Sequence, residues 1–165
     1  MVLRKLQETD REKLEELINI IEASLVNKDW WLPIDSISRV KFISEGHSEF
    51  YGVFDGELLV AAFALFYTDA EWKESANYLG LTDSNIIELG RLMVRPECRG
   101  KGVLLSPIRE TIRELGNIEK RKIIATAHPD NIGSQKLLCK CGFTKQGTYQ
   151  KKNGYVRDVF LNTIE

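Results

Sequence analysis

At 165 residues, 43% hydrophobic and 28% charged, the chain has the size of one domain, residues 1–165, and enough apolar material for a core that needs no disulfide staples. A formal net charge of −1 at pH 7 excludes the broad positive field of a nucleic-acid binder, and the short basic clusters at Lys120 to Lys122 and Lys151 to Lys152 read as solvated edges. The longest apolar stretch, Leu58 to Tyr67, is too short to cross a bilayer and the amino terminus has no signal-like apolar core, so no membrane partner and a cytoplasmic location are expected.

In chain order, Val2 to Gln7 alternates as a short strand. Thr9 with Glu12 predicts a capping box opening a helix that runs to about Leu25, with Leu14, Leu17, Ile18, Ile21 and Leu25 on one face. A second helix is predicted over Ile34 to Ser44, after a connection containing Trp30, Trp31 and Pro33. Phe50 to Phe54 and Glu57 to Tyr67 are strands around Asp55-Gly56, a hairpin signal. Thr68 to Asn85 breaks the pattern and reads as a loop or short helix carrying Trp72 and Tyr78, a segment suited to a lid or substrate wall.

Ile86 to Val94 is the next strand, Lys101 to Leu115 a helix and Arg121 to Ala127 a buried strand. Asn131 to Lys140 is a helix stopped by Gly142. Thr148 to Lys152 and Tyr155 to Leu161 flank Asn153-Gly154, a second hairpin signal. The order β-α-α-β-β-β-α-β-α-β-β predicts an α/β fold with a mixed central sheet and two crossover units. Three cysteines without a secretory leader fit free thiols. Cys139 and Cys141, two apart on a helix, point to different sides and no second pair completes a zinc site, so no metal is expected.

The stretch IIELGRLMVRPECRGKGVLL, residues 86 to 105, carries the chemistry. An apolar strand ends at Val94, a turn follows, and Arg99-Gly100-Lys101-Gly102-Val103-Leu104 opens a helical run. Glycines let a backbone approach an anion, and amides at a helix start point towards it with the helix dipole behind them. This is a cradle for a phosphorylated ligand. Gly100-Lys101-Gly102 lacks the Gly-x-x-x-x-Gly-Lys-Ser/Thr frame, which argues against a nucleoside triphosphatase.

Residues 99 to 104 match Gln/Arg-x-x-Gly-x-Gly/Ala except at the last place, and Asn131, Ser134, Leu137 and Cys141-Gly142-Phe143 match an Asn-x-x-Ala/Ser helix ending in x-Gly-Phe. With these motifs, and with the order of its elements, the chain resembles the GNAT superfamily of acetyl-CoA-dependent N-acetyltransferases. The resemblance implies a GNAT-like fold with helices on both faces of the sheet, and a cleft where strands 86–94 and 121–127 splay. It implies acetyl-CoA as co-substrate, its pantetheine arm along Leu92, Met93 and Val94 and beside Asn131 and Ser134. The diphosphate would lie on the amides of Arg99, Gly100, Lys101, Gly102, Val103 and Leu104. The acceptor would be a small-molecule amine or a protein N-terminal amine.

The sequence departs from the family twice. Leu104 stands where Gly or Ala lets the helix approach the phosphates, so its side chain must turn away or shift the helix. Leu138 stands where many members carry a Tyr that protonates the departing thiolate.

An amine nucleophile with pKa ~10.4 must lose a proton near neutral pH. Glu88 could take it directly or through water, or could instead pair with Arg91. His128, at the end of the other splayed strand, suits proton transfer or is a turn histidine before Pro129. Tyr149 and Tyr155 could donate to the leaving group or simply pack, and a backbone amide near Met93 could serve the oxyanion. Cys98 has no base nearby and reads as a spectator thiol, and Arg95 could add a side-chain contact to a phosphate, as could Arg99 and Lys101, or be purely solvent-facing. Two readings stay open: an N-acetyltransferase acting on a primary amine by direct attack in a ternary complex, and an acyl-CoA-binding sensor that has lost catalysis. The last hairpin could offer an edge for a homodimer.

Overall fold

The computed structural model describes residues 1–31, 48–67, 69–82, 85–116 and 121–164, without the side chains of 69–71. The predicted helix over Ile34 to Ser44 lies outside the described residues. The elements are β1 (Val2–Lys5), α1 (Arg11–Ala23), β2 (Ser48–Asp55), β3 (Leu58–Phe66), α2 (Asp69–Tyr78), β4 (Ile86–Val94), α3 (Leu105–Gly116), β5 (Lys122–Ala127), α4 (Ile132–Lys140), β6 (Thr144–Gln150) and β7 (Val156–Thr163). The strands form one sheet in the order β1-β2-β3-β4-β5-β7-β6. Among the described strands, only β4 and β5 are parallel.

Helices cover both faces, which is why β3 reads as an unbroken apolar run instead of alternating. Ala62 and Ala64 face a core built on α1 residues Leu14, Leu17, Ile18 and Ile21 together with Met93. Ala61, Phe63 and Leu65 face the opposite core, with Leu104, Ile108 and Leu115 around α3 and Leu138 from α4. A third cluster joins Ala76 of α2 to Ile86, Ile124 and Val159, on the α1 side of the sheet.

Several boundaries differ from the sequence expectation. A 3-10 turn over Glu8–Asp10 precedes α1, and the cap is made by Asp10, whose carboxylate accepts from the Gln7 amide at 2.9 Å and from Arg4 at 2.7 Å, not by Thr9 with Glu12. The segment after β3 is helical, over Asp69–Tyr78. The first hairpin turns on Gly56, at φ +57, since Asp55 pairs with Leu58. In the second, Gln150 pairs with Val156, so Asn153-Gly154 sits within a longer loop, closed by Lys151 N–H donating to Tyr155 C=O at 2.8 Å.

Candidate active site

The sheet opens between β4 and β5. Ile86 to Leu89 pair with Lys122 to Ala125, but β4 runs on to Val94 and β5 to Ala127 without pairing with each other. A register shift against β3, where Ala62 faces Met93 and Ala64 faces Gly90, gives β4 an extra residue. Arg91 sits there at φ +53, a left-handed conformation that costs a non-glycine residue about 1–3 kcal/mol and is held by the surrounding sheet. The bulge turns the second half of β4 away from β5. The burial of β4 follows: Ile86 to Leu89 are buried, whereas Gly90, Arg91, Leu92 and Val94 are half-buried.

The gap is a cleft of about 590 Å³, within the range of small-molecule sites. At one end lies the turn from Arg99 to Leu104. Gly100 has φ +74 and Gly102 φ +70, conformations that favour glycine, and a Cβ on either would meet nothing within 4 Å. Among the described residues, the amides of Gly100, Lys101, Gly102, Val103 and Leu104 make no hydrogen bond of standard geometry to the protein. Open space, unsatisfied N–H groups and the start of α3 converge, a combination that fits an anionic ligand.

α3 begins at Leu105 and not at Lys101, so the whole cradle precedes the helix. Leu104 is 2% exposed and its side chain packs into the α3 core, turning away as the motif departure requires. Arg99 donates from Nε to the Val94 carbonyl at 3.2 Å and from Nη2 to Ser24 Oγ at 2.7 Å, tying the turn to the end of α1. Arg95 is a correction: it is 7% exposed, with Nε on the Leu59 carbonyl at 2.8 Å and Nη2 on Glu16 at 2.8 Å.

The remaining residues singled out in the sequence divide by position. Leu92, Val94, Arg99, Gly100, Gly102, Val103 and Leu104 line the cleft, as do Asn131 and Ser134. Asn131 also caps α4, its Oδ1 accepting from the Ser134 amide at 3.1 Å. Lys101 is exposed, and Met93 is fully buried in the α1 core. Glu88, 9% exposed, lines the cleft on the α1 side of β4.

His128 does not line the cleft. Its Nδ1 accepts from the Asp130 amide at 3.1 Å, which in the neutral ring places the proton on Nε2. Tyr149 is also off the lining: its hydroxyl meets Ser75 Oγ at 2.9 Å and its ring stacks on Tyr78 at 4.8 Å. Burial raises the Tyr149 pKa, so the phenol stays protonated. Leu138 is fully buried and offers no proton. Of the aromatics outside the motifs, Trp30 and Trp31 line the cleft and Trp72 packs against the third cluster.

Lys151, read from the sequence as a solvated edge, is a correction: it is 8% exposed and lines the cleft wall. Arg91, named in the sequence only as a partner for Glu88, lies over the Trp31 ring at 5.4 Å, and the buried Arg157 of the cleft wall was not picked out at all. Arg157 had a signal: strand alternation places it on one face with Val159 and Leu161, where an arginine is out of pattern.

A seven-stranded mixed sheet, opened at its parallel pair above a glycine cradle, defines the acetyltransferase fold of the GNAT type. The ribosomal-protein-S18-alanine N-acetyltransferase of Escherichia coli superposes with a TM-score of 0.71 at 12% identity, over 99% of this chain and 94% of that one. An aminoglycoside acetyltransferase in complex with coenzyme A gives 0.73 at 19% identity, over 98% and 94%. A ribosomal alpha-N-protein acetyltransferase in complex with coenzyme A gives 0.73 at 14%, over 98% and 93%. Residues 10–143 match the acetyltransferase (GNAT) family, and the chain belongs to it. Among curated proteins, no sequence matches the chain. No helix among the described residues is long and apolar enough to cross a membrane.

Proposed function

We propose that the chain is an acetyl-CoA-dependent N-acetyltransferase that acts on a primary amine by direct attack in a ternary complex. The observation that carries this reading is the splayed cleft with open glycine amides at its rim and a carboxylate, Glu88, on its wall. CoA-bound neighbours of the same fold support the cofactor. When bound, acetyl-CoA supplies the acetyl group as a thioester, whose C–S bond breaks as the new C–N bond forms.

The amides of Gly100 to Leu104 would hold the diphosphate, with Asn131 and Ser134 beside the arm and the unpaired edge of β4 at Leu92 to Val94 along it. Glu88 would accept the ammonium proton, directly or through water. Neither His128 nor Tyr149 lines the cleft, which leaves Glu88 the better-placed proton acceptor of the three. Cys98 lines the cleft, but no base is hydrogen-bonded to it among the described residues, in keeping with direct transfer. Neighbours act on aminoglycosides and on a ribosomal protein, so both small-molecule amines and protein N-termini are acceptor classes to assay. Three free cysteines suit a cytoplasmic setting.

The sensor reading draws on one observation, the buried Leu138 where a phenol would assist the leaving group. A thiol of pKa ~8.5 leaves as the thiolate without full protonation, so this loss lowers the rate without abolishing transfer. The test is incubation with acetyl-CoA and a panel of primary amines, read as thiol release, alongside calorimetry with CoA. Binding with turnover is expected. Binding without turnover on any amine leaves the sensor, and no binding at all removes both readings.

A further inference from the structure

Arg157 is 3% exposed, yet it lines the cleft. Its Nη1 donates to the Val156 carbonyl at 2.7 Å, its guanidinium lies 5.2 Å from the Tyr155 ring centre, and its buried Nη2 has no hydrogen-bond partner among the described residues. No carboxylate pairs with it among the described residues. Burial draws its pKa below the usual range, but a guanidinium stays charged in a protein. A buried cation without a counter-ion is strongly unfavourable, and an ionised oxygen from a ligand would relieve it with charge-assisted hydrogen bonds.

The diphosphate is on the wrong side to be that ligand. Val159, two residues along β7, packs with Ile86, Ile124 and Ala76 of α2, so Arg157 faces the α1 and α2 side of the sheet. Glu88 shares that side through its alternation with Ile86. The cradle leads into α3, and its Leu104 packs with Ile108 of α3 on the other face. Lys151, 8% exposed, also lines the cleft, in the loop whose Lys152 amide donates to Glu74 of α2 at 2.6 Å. Arg91 over Trp31 adds a third cation. Against them stand Glu88 in the cleft and the exposed Asp29 near Arg157.

We infer that the acceptor is a small amine that also carries a carboxylate, held through that carboxylate by Arg157. The inference rests on the acetyltransferase reading and narrows its acceptor to the amino-acid class, against polyamines and other polycations.

The test uses the full chain with each L-amino acid, its carboxamide, and spermidine as a polycation. The expected result is at least one acid turned over with kcat/KM about tenfold or more above its amide, the discrimination that a buried polar partner supports. In Arg157→Gln that preference should collapse through KM more than kcat, with partial recovery in Arg157→Lys and CoA affinity by calorimetry unchanged. The wild-type acid-to-amide comparison needs no variant, so it decides even if a variant fails to fold. The inference is overturned if amides or spermidine match the acids. It also falls if no acid is turned over while CoA binds, if Arg157→Gln keeps the preference, or if Arg157→Gln weakens CoA binding, which would assign the anion to the cofactor. Failure to bind CoA at all would remove the acetyltransferase reading beneath it.

Discussion

Replacing Gly102 by valine separates two effects that most site mutations mix. Gly102 has φ +70, and a Cβ built there meets nothing within 4 Å. In the free protein the Cβ finds room, so the main cost is conformational, at least about 1–2 kcal/mol for a side chain in the left-handed region. With ligand present, the side chain stands where an anion must approach the Gly102 amide. Losing one amide hydrogen bond to an ionised oxygen is worth about 1.5–3 kcal/mol. That corresponds to a rise in the CoA Kd of roughly 10–150-fold.

Gly56 supplies the control. It has φ +57 in the β2–β3 turn and likewise open space around a built Cβ, but it lies outside the cleft. Gly56→Ala should lose comparable stability with CoA affinity intact. Thermal melts and calorimetry on both variants give the comparison. Unchanged CoA affinity in Gly102→Val would refute the cradle, and an equal loss of affinity in Gly56→Ala would show that general destabilisation accounts for it.

Glu88→Gln should lower turnover most well below the acceptor amine's own pKa and progressively less as pH nears it, because a deprotonated nucleophile needs no base; a pH-independent deficit would assign Glu88 to structure. Leu104→Ala, at a side chain 2% exposed, should cost about 2–5 kcal/mol in denaturant unfolding, a larger effect than its change in CoA affinity. Asp10→Asn should cost about 1–3 kcal/mol at pH 7, since the Arg4 hydrogen bonds hold the carboxyl below its usual range against the opposing effect of burial. A depressed carboxyl pKa gives stability that is complete above the unfolded value of ~3.9 and is lost as pH falls through the folded value, so the gap between wild type and variant should close below about pH 4. A gap of constant size in acid would contradict that origin.

How far the fold could be read depends on what each segment buries. β4 was legible to the residue because its mostly apolar run starts at Ile86 and is stopped after Val94 by Arg95-Pro96, and its first half is covered on both faces. α2 was legible only as one of two readings, a loop or a short helix, because its sequence, DAEWKESANY, sets little apolar material at helical spacing. The glycine cradle was legible as a motif, yet the start of α3 was placed four residues early, because Lys101, Val103 and Leu104 are compatible with a helix and the positive φ of Gly102 has no mark in the sequence beyond the glycine itself. Arg95 was read from its charge, but the chain brings Glu16 and a carbonyl to it from α1 and β3, and no local pattern announces long-range partners. The bulge at Arg91 is equally silent, since a left-handed arginine carries no sequence mark.

The position of the site follows from the connectivity of the sheet. Among the described strands, β2–β3 and β6–β7 are joined directly as hairpins, which return the chain to the strand end it left and place no helix start at that rim. The crossover from β4 through α3 to β5 is different: it must leave the carboxyl end of β4, and it places the amino end of α3, with its unsatisfied amides, at that rim. Ligands of open α/β sheets collect at such carboxyl ends for the same reason. Here the parallel pair is also the pair that comes apart, because the bulge at Arg91 carries β4 off after Leu89. Cradle and cleft are therefore joined by a single strand. A change that straightened β4, such as deleting one residue between Gly90 and Met93, would restore its register with β3 and let β5 pair further along it. The diphosphate amides would stay in place while the path for the arm closed. Affinity for the nucleotide half of CoA would then outlast turnover, whereas losing both together would place the bulge within the cradle's own support.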